Sequence, residues 1–181
     1  MTTGRKPFHN VVVALALGLC LSGAPAIAAD TPDAWITMKT KIALMTADNV
    51  SAADLNVDTV SGVVTLHGKV ATDAEKAKAE QVAAKIDGVK SVKNLLQIVP
   101  SSKREVVDRA DADVKDAVQA AFKTNARVKD SGISVASVNK GVVLLAGQTK
   151  SLESHLEAVQ VANGVKGVRR VASEVKVDAG T

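Results

Sequence analysis

The sequence predicts an α+β protein built from two copies of one small module. The pattern Gly-Val-Val-Thr-Leu-His-Gly at residues 62–68 returns at residues 141–147 as Gly-Val-Val-Leu-Leu-Ala-Gly. A second shared pattern, Gly-Val-x-x-Val, follows at the same offset, at residues 88–92 and 167–171. Two copies of about seventy residues indicate duplicated domains, because a solenoid usually needs at least three repeats.

Each copy is predicted to begin with a helix, because its apolar residues share one helical face. These residues are Ile36, Thr40, Ala43, Leu44 and Ala47 in the first copy and Val114, Ala117, Val118, Ala121 and Phe122 in the second. Two β-rich runs follow, at residues 55–60 and 63–70 in the first copy. Glycine at the intervening turn, Gly62 or Gly141, supplies the positive φ that tight hairpins require.

A second helix and a last strand complete each copy. Capping residues start the helices, Thr72 with Glu75 in the first copy and Ser151 in the second. Gly88 and Gly167 are predicted to end them in the left-handed conformation. The predicted buried sides are Ala79, Val82, Ala83 and Ile86 in the first copy and Leu152, Leu156 and Val159 in the second.

The resulting order is α-β-β-α-β, with the last strand near residues 92–99 and 171–177. A right-handed crossover brings that strand parallel to the second. Each module is therefore predicted to place two helices on one face of a three-stranded mixed sheet.

The first 29 residues predict a cleaved signal peptide, so the periplasm is the expected location. A basic start precedes an apolar run at residues 11–21, which is shorter than the roughly 20 residues that span a membrane. Small residues then place the predicted cleavage after Ala28 or Ala29.

The single cysteine, Cys20, lies inside the segment that is predicted to be removed. A lipoprotein would need a small residue before it, and Leu19 stands there, which disfavours lipid anchoring. The mature chain is therefore expected to have no disulfide and no thiol chemistry.

Domain boundaries follow from composition. We expect one domain at residues 30–100, a polar linker at 101–106 after Pro100, and a second domain at 107–181. Residues 30–100 carry 8 basic and 9 acidic residues, and residues 101–181 carry 13 and 10. The second half is mildly basic, which is far below the charge density of a nucleic-acid-binding domain.

The two glycine patterns, repeated in tandem behind a signal peptide, resemble the BON domain family over residues 33–178. The resemblance implies two tandem BON-type modules, a non-catalytic role in envelope and especially hyperosmotic stress, and contact with phospholipid surfaces. In many BON copies an asparagine follows the Gly-Val-x-x-Val element. Asn94 fits this pattern, whereas Ser173 replaces it in the second copy.

Candidate chemistry is sparse in the mature chain, and we predict that the protein is not an enzyme. His67 and His155 lie in different copies without ligand spacing, so neither a zinc site nor another cofactor is expected. An acidic series near the start of the second copy lacks the glycine turn and final glutamate of a calcium loop. We expect it to be the solvated start of a helix; it consists of Asp108, Asp111, Asp113 and Asp116.

The remaining candidate is a cationic cluster, Lys166, Arg169 and Arg170, in the turn before the last strand. Basic side chains are attracted to anionic phospholipid by about 1 kcal/mol each. Peripheral contact with anionic lipid through this turn is the first functional hypothesis. The alternative is a periplasmic chaperone or adaptor that binds envelope proteins. The residues do not fix the oligomeric state, and nucleic acid is not expected as a partner.

Overall fold

The computed structural model describes residues 31–178, and the predicted signal peptide lies outside them. We call residues 31–100 module 1 and residues 101–178 module 2. Module 1 comprises α1 (Asp33–Thr46), β1 (Leu55–Val60), β2 (Val63–Val70), α2 (Asp73–Ala84), β3 (Ser91–Asn94) and β4 (Gln97–Ile98). Module 2 comprises α3 (Arg104–Thr124), β5 (Ile133–Asn139), β6 (Val142–Thr149), α4 (Leu152–Asn163), β7 (Arg170–Ser173) and β8 (Lys176–Val177).

Each module contains a mixed sheet with the predicted strand directions. Strand β1 pairs antiparallel to β2, and both β3 and β4 pair parallel to β2. Module 2 repeats this with β5, β6, β7 and β8. The α+β class is confirmed, but the predicted last strand is two short strands, so each sheet has four strands rather than three.

A local hydrogen bond interrupts the last strand at the same place in both modules. The Asn94 side-chain oxygen accepts from the Leu96 backbone N–H at 3.2 Å, and the Ser173 hydroxyl accepts from Val175 N–H at 3.2 Å. Such a side-chain bond to the backbone two residues on competes with the sheet ladder. Serine can therefore replace asparagine at this position because both side chains offer an acceptor.

Both helices of a module cover one face of its sheet, as predicted. Ile36, Leu44 and Ala83 share a buried cluster with Val64 and Leu66 of β2 in module 1. The corresponding cluster of module 2 contains Val118, Phe122, Val128, Ile133, Val135, Val138, Val143, Leu145, Ala158 and Ala162.

The predicted buried side of α4 is wrong in two positions. Leu152 and Leu156 are 59% and 60% exposed, and the buried residues of α4 are Ala158 and Ala162. These alanines are the repeat equivalents of buried alanines in α2, which shows that both second helices approach their sheets closely through small side chains. The leucines lie on the other side of the helix.

The glycines before the last strands have positive φ, +93° at Gly88 and +95° at Gly167, but they do not cap the helices. Helices α2 and α4 end at Ala84 and Asn163, four residues earlier. A Cβ at Gly167 would lie 2.6 Å from a methyl carbon of Val114. Close approach of the first helix of the module explains the glycine here.

Pro100 is followed by a 3-10 turn, Ser101–Lys103, and α3 begins directly afterwards at Arg104. The Arg104 guanidinium pairs with the Asp54 carboxylate of module 1. The two modules are therefore joined by one short turn and by a side-chain contact next to it.

The modules dock through the sheet faces that their own helices leave open. Alternate residues of β2 that point away from the helices, Thr65, His67 and Lys69, are all buried. Leu95 of module 1 forms a small buried cluster with Leu144 and Ala172 of module 2. The molecule is thus layered as helices, sheet, sheet and helices.

Candidate functional site

The three predicted cations come together where an exposed turn leads from α4 into β7, whose first residue is Arg170. Lys166, Arg169 and Arg170 are all exposed. The backbone N–H of Arg169 donates to the Gly141 carbonyl at 2.8 Å, which ties this turn to the β5–β6 hairpin. Lys140, the neighbour of Gly141, is also exposed. We call Lys166, Arg169 and Arg170 the basic turn.

The basic turn carries unneutralised charge. None of its three side chains forms an ion pair with a carboxylate within residues 31–178. The equivalent turn of module 1 has Asp87, Lys90 and Ser91 at these positions, so its formal charge is zero. The positive charge is therefore a property of module 2 and not a requirement of the fold.

The acidic series at the start of module 2 is only partly solvated, which corrects the sequence prediction. Asp111 is 5% exposed, and its carboxylate accepts from the backbone N–H groups of Lys140 at 2.8 Å and Gly141 at 3.0 Å. Asp33 holds the module 1 hairpin in the same way, through Ser61 N–H at 2.7 Å and Gly62 N–H at 2.8 Å. These aspartates each fasten a hairpin turn to the first helix of their module.

Hydrogen bonding lowers the pKa of Asp33, the aspartate that fastens the hairpin of module 1. The pKa of Asp33 lies below its ordinary value of 3.8, chiefly because the Gly62 N–H donates to the carboxylate. Desolvation opposes this shift, while the Ser61 N–H and the charges of Lys176 and Lys90 reinforce it. Lys176 belongs to β8, so the docked module 2 contributes to this field.

A buried ion pair connects the two modules. The Lys69 ammonium, on β2, lies 2.8 Å from an Asp111 carboxylate oxygen, and it also donates to Asp108. Burial alone lowers the pKa of Lys69, but the hydrogen bonds to Asp108 and Asp111 outweigh this, so the pKa lies above 10.5. A buried lysine needs such partners, because an unpaired buried charge is strongly unfavourable.

The two histidines have local structural partners. The His67 ring Nε2 lies 2.8 Å from an Asp58 carboxylate oxygen, and the His155 Nε2 lies 2.8 Å from the Ser173 hydroxyl. The hydrogen bond from His67 is the main reason that the pKa of Asp58 lies below its ordinary value. Across residues 31–178, no group of three or more His, Cys, Asp or Glu side chains is arranged to hold a metal ion.

Asp58→Asn is expected to change the acid limb of the stability curve. A carboxylate whose pKa is lowered in the folded state stabilises it above the unfolded pKa, and this contribution is lost as the pH falls through the folded pKa. The side chain is half exposed, so we expect a loss below about 1 kcal/mol at pH 7. Urea unfolding from pH 7 to pH 2 should show a shallower decline below pH 3.8 in the variant than in the parent protein.

The exposed Asp48 provides the control for this prediction. Asp48→Asn removes the same charge from module 1 away from His67. The free energy of unfolding could instead decline equally with falling pH in the Asp58 variant and the parent protein. That result would show that the His67–Asp58 bond contributes nothing to the pH dependence.

Open clefts are present in the described chain. One of about 580 Å³ lies beside the start of α4, with Arg127, Lys150 and Ser151 in its lining. Another of about 550 Å³ lies between the modules, with Asp58 and Glu174 in its lining. Neither lining contains a histidine or a cysteine. Within residues 31–178, no helix is both long and apolar enough to traverse a bilayer.

An exposed apolar face on α1 was missed by the sequence reasoning. Trp35, Met38, Ile42 and Met45 are 48%, 44%, 55% and 72% exposed. Their spacing of three, four and three residues was available in the sequence and places them on one side of a helix. We call these four residues the α1 stripe.

These features define a two-module α+β protein whose modules dock through their sheets and which presents a cationic turn. The sequence profile of the BON domain matches residues 32–100 and 110–179. The chain belongs to the BON domain family, in the tandem arrangement that the repeated glycine patterns predict.

Comparison with individual proteins finds several relatives of this chain. Osmotically-inducible protein Y of Escherichia coli (strain K12) is 32% identical over 145 residues, which cover 80% of this chain and 72% of that protein. Two solved structures of CdsD, a structural protein of the type III secretion system of Chlamydia trachomatis, are 16% identical, with TM-scores of 0.30 and 0.32. They align with 78% and 81% of this chain and with 60% and 67% of their own chains.

Proposed function

We propose that this protein is a non-catalytic periplasmic protein of the osmotic-stress response that contacts anionic phospholipid surfaces. The relation to a protein named as osmotically inducible supports the stress role. The signal-peptide pattern at residues 1–29 supports export. The exposed basic turn is the observation that carries the lipid contact.

Electrostatics sets the expected strength of this contact. Each cation near an anionic bilayer contributes about 1 kcal/mol, so Lys166, Arg169 and Arg170 together would raise the partition coefficient roughly a hundredfold. The attraction falls off over a Debye length of about 8 Å at physiological salt. Binding through the basic turn alone should therefore be reversible and sensitive to salt.

The proposed function predicts selective sedimentation with anionic vesicles. We expect the exported protein to co-sediment with phosphatidylglycerol-containing vesicles at low salt, and not with phosphatidylcholine vesicles. The combined change Lys166→Gln, Arg169→Gln and Arg170→Gln should reduce this binding by about a hundredfold. Glutamine keeps part of the aliphatic stem of Arg169, which packs beside Gly141.

A matched control removes three charges elsewhere. Lys78, Lys123 and Lys150 are exposed and lie outside the basic turn, so their change to glutamine gives the same net charge. Equal binding losses in both variants would show that net charge matters and the basic turn does not. No sedimentation of the parent protein at low salt would overturn the proposal and favour an envelope-protein partner.

A further inference from the structure

The α1 stripe makes α1 apolar on two opposite sides. Ile36, Thr40 and Leu44 are buried against the sheet of module 1, whereas the stripe residues face outward. An apolar helix face is normally covered by another part of the protein or by a partner. The described chain covers only one side of α1.

The internal repeat shows that the fold does not require the stripe. Ile36, Thr40 and Leu44 of α1 correspond to Val114, Val118 and Phe122 of α3, at a constant offset in the sequence. At the same offset, the four stripe positions of module 1 correspond in module 2 to Asp113, Asp116, Ala120 and Lys123. All four of those residues are exposed, so the same helix face carries charged or small side chains in module 2.

The charged side chains of α1 that flank the stripe are cations. The Lys39 ammonium lies 5.6 Å from the centroid of the Trp35 ring, and Lys41 is exposed on the same helix. The one acidic residue of α1, Asp33, has its carboxylate bound to the β1–β2 turn. An occupant of the stripe should therefore combine an apolar interior with negative charge at its surface.

A second copy of the chain fits the stripe less well. Pairing two stripes would bring Lys39 and Lys41 of both copies together, which is repulsive. The four side chains present on the order of 400 Å², about half of the area per partner that a standard protein interface buries. An anionic bilayer attracts the lysines and does not require a large contact area. Tryptophan beside lysine is also typical of helices that lie at the bilayer surface.

We propose that the α1 stripe inserts into the headgroup region of an anionic bilayer, with Trp35 and Lys39 at its polar boundary. This inference rests on the proposed function and assigns it a second contact, in module 1. The basic turn gives salt-sensitive recruitment, and the stripe adds an apolar contribution that salt does not screen.

Trp35 makes the test direct, because the chain contains one tryptophan and no tyrosine. Its emission reports only on the stripe. We expect the emission maximum to shift to shorter wavelength when phosphatidylglycerol-containing vesicles are added to the exported protein. Brominated acyl chains should then quench the emission, and protection from aqueous acrylamide should increase.

The residues of α3 in module 2 suggest a variant that removes the other three stripe residues and keeps Trp35 as the fluorescent probe. Met38→Asp, Ile42→Ala and Met45→Lys introduce the residues that α3 carries at these positions, and they leave the net charge unchanged. We expect low-salt sedimentation to persist, the spectral shift to disappear, and binding at high salt to fall at least tenfold. Leu152→Ser with Leu156→Ser, which removes exposed apolar residues of α4, should leave both readouts unchanged.

The outcomes separate this inference from the proposed function. Salt-sensitive sedimentation without any Trp35 shift would leave the proposed function standing and overturn insertion of α1. A shift that grows with protein concentration in the absence of lipid would assign the stripe to a second copy. A shift with reduced, carboxymethylated ribonuclease A, which contains no tryptophan, but not with vesicles would assign it to non-native polypeptide, and either result overturns the proposal.

Discussion

Replacing Asp111 by asparagine is expected to lower the free energy of unfolding by about 3 kcal/mol. The carboxylate has three partners, the N–H groups of Lys140 and Gly141 and the ammonium of Lys69. All of them are donors, so the asparagine NH₂ group would face a donor wherever it pointed. Lys69 would keep only Asp108, whose side chain is 57% exposed.

The duplicated module provides the control for this prediction. Asp33→Asn removes the equivalent clamp of module 1, which has two backbone donors and is not paired with a buried lysine in the described chain. We expect it to cost about 1 kcal/mol, since water can replace part of each hydrogen bond. Urea unfolding followed by far-UV circular dichroism measures both variants.

A double-mutant cycle then isolates the contact between the modules. Lys69→Met removes the cation, while Asp111 keeps its two backbone donors. We expect Lys69→Met and Asp111→Asn to be strongly non-additive, as for groups in direct contact. Equal costs for the Asp33 and Asp111 variants, with additivity in the cycle, would show that the buried ion pair does not stabilise the docked modules.

Local signals predicted much of the fold. The bounds of β1 and β2 agree with the predicted runs at residues 55–60 and 63–70, because the Ser61-Gly62 turn separates two β-rich segments. The cap of α2 is also confirmed, since Thr72 accepts from Glu75 N–H at 3.1 Å. Glu75 extends this cap by accepting from Ala71 N–H at 2.8 Å, so the carboxylate reaches one residue further back than the capping-box pattern indicates.

The docking of the modules could not be predicted in the same way. Thr65, His67 and Lys69 alternate with apolar residues along β2, which is the pattern of a strand with one solvated face. Their burial depends on partners far along the chain, such as Asp111. Some buried polar atoms at the contact between the modules have no protein partner, including Thr65 Oγ1, His67 Nδ1 and Glu174 Oε1. This contact is therefore polar and less fully paired than a module core.

The α1 stripe was missed for a related reason. Periodicity identifies one apolar face of a helix, and Ile36, Thr40 and Leu44 satisfied that criterion. The second set lies on the opposite side of the helix and was absorbed into the general apolar character of α1. Comparing α1 with α3 position by position reveals the difference, because the matching residues of α3 are polar or small.

Gly68→Ala and Gly147→Ala are each expected to destabilise the protein by at least about 3 kcal/mol. Both glycines have φ of +126°, a conformation that side-chain-bearing residues rarely adopt. A Cβ at Gly68 would overlap the Asp54 carbonyl oxygen, and a Cβ at Gly147 would overlap that of Gly132. The Asp54 carbonyl cannot move aside freely, because it accepts from Lys69 N–H at 3.0 Å.

Gly164→Ala is the matched control, and thermal unfolding is the measurement. Gly164 has φ of −75°, and the nearest atom to a Cβ there lies at 3.5 Å. Alanine should fit and leave the stability unchanged or raise it by about 0.5 kcal/mol. Similar melting of the Gly68 and Gly164 variants would show that β2 can shift to admit a methyl group. The expected contrast follows from the spacing that the modules share, in which the first glycine forms the turn and the second admits a neighbouring carbonyl.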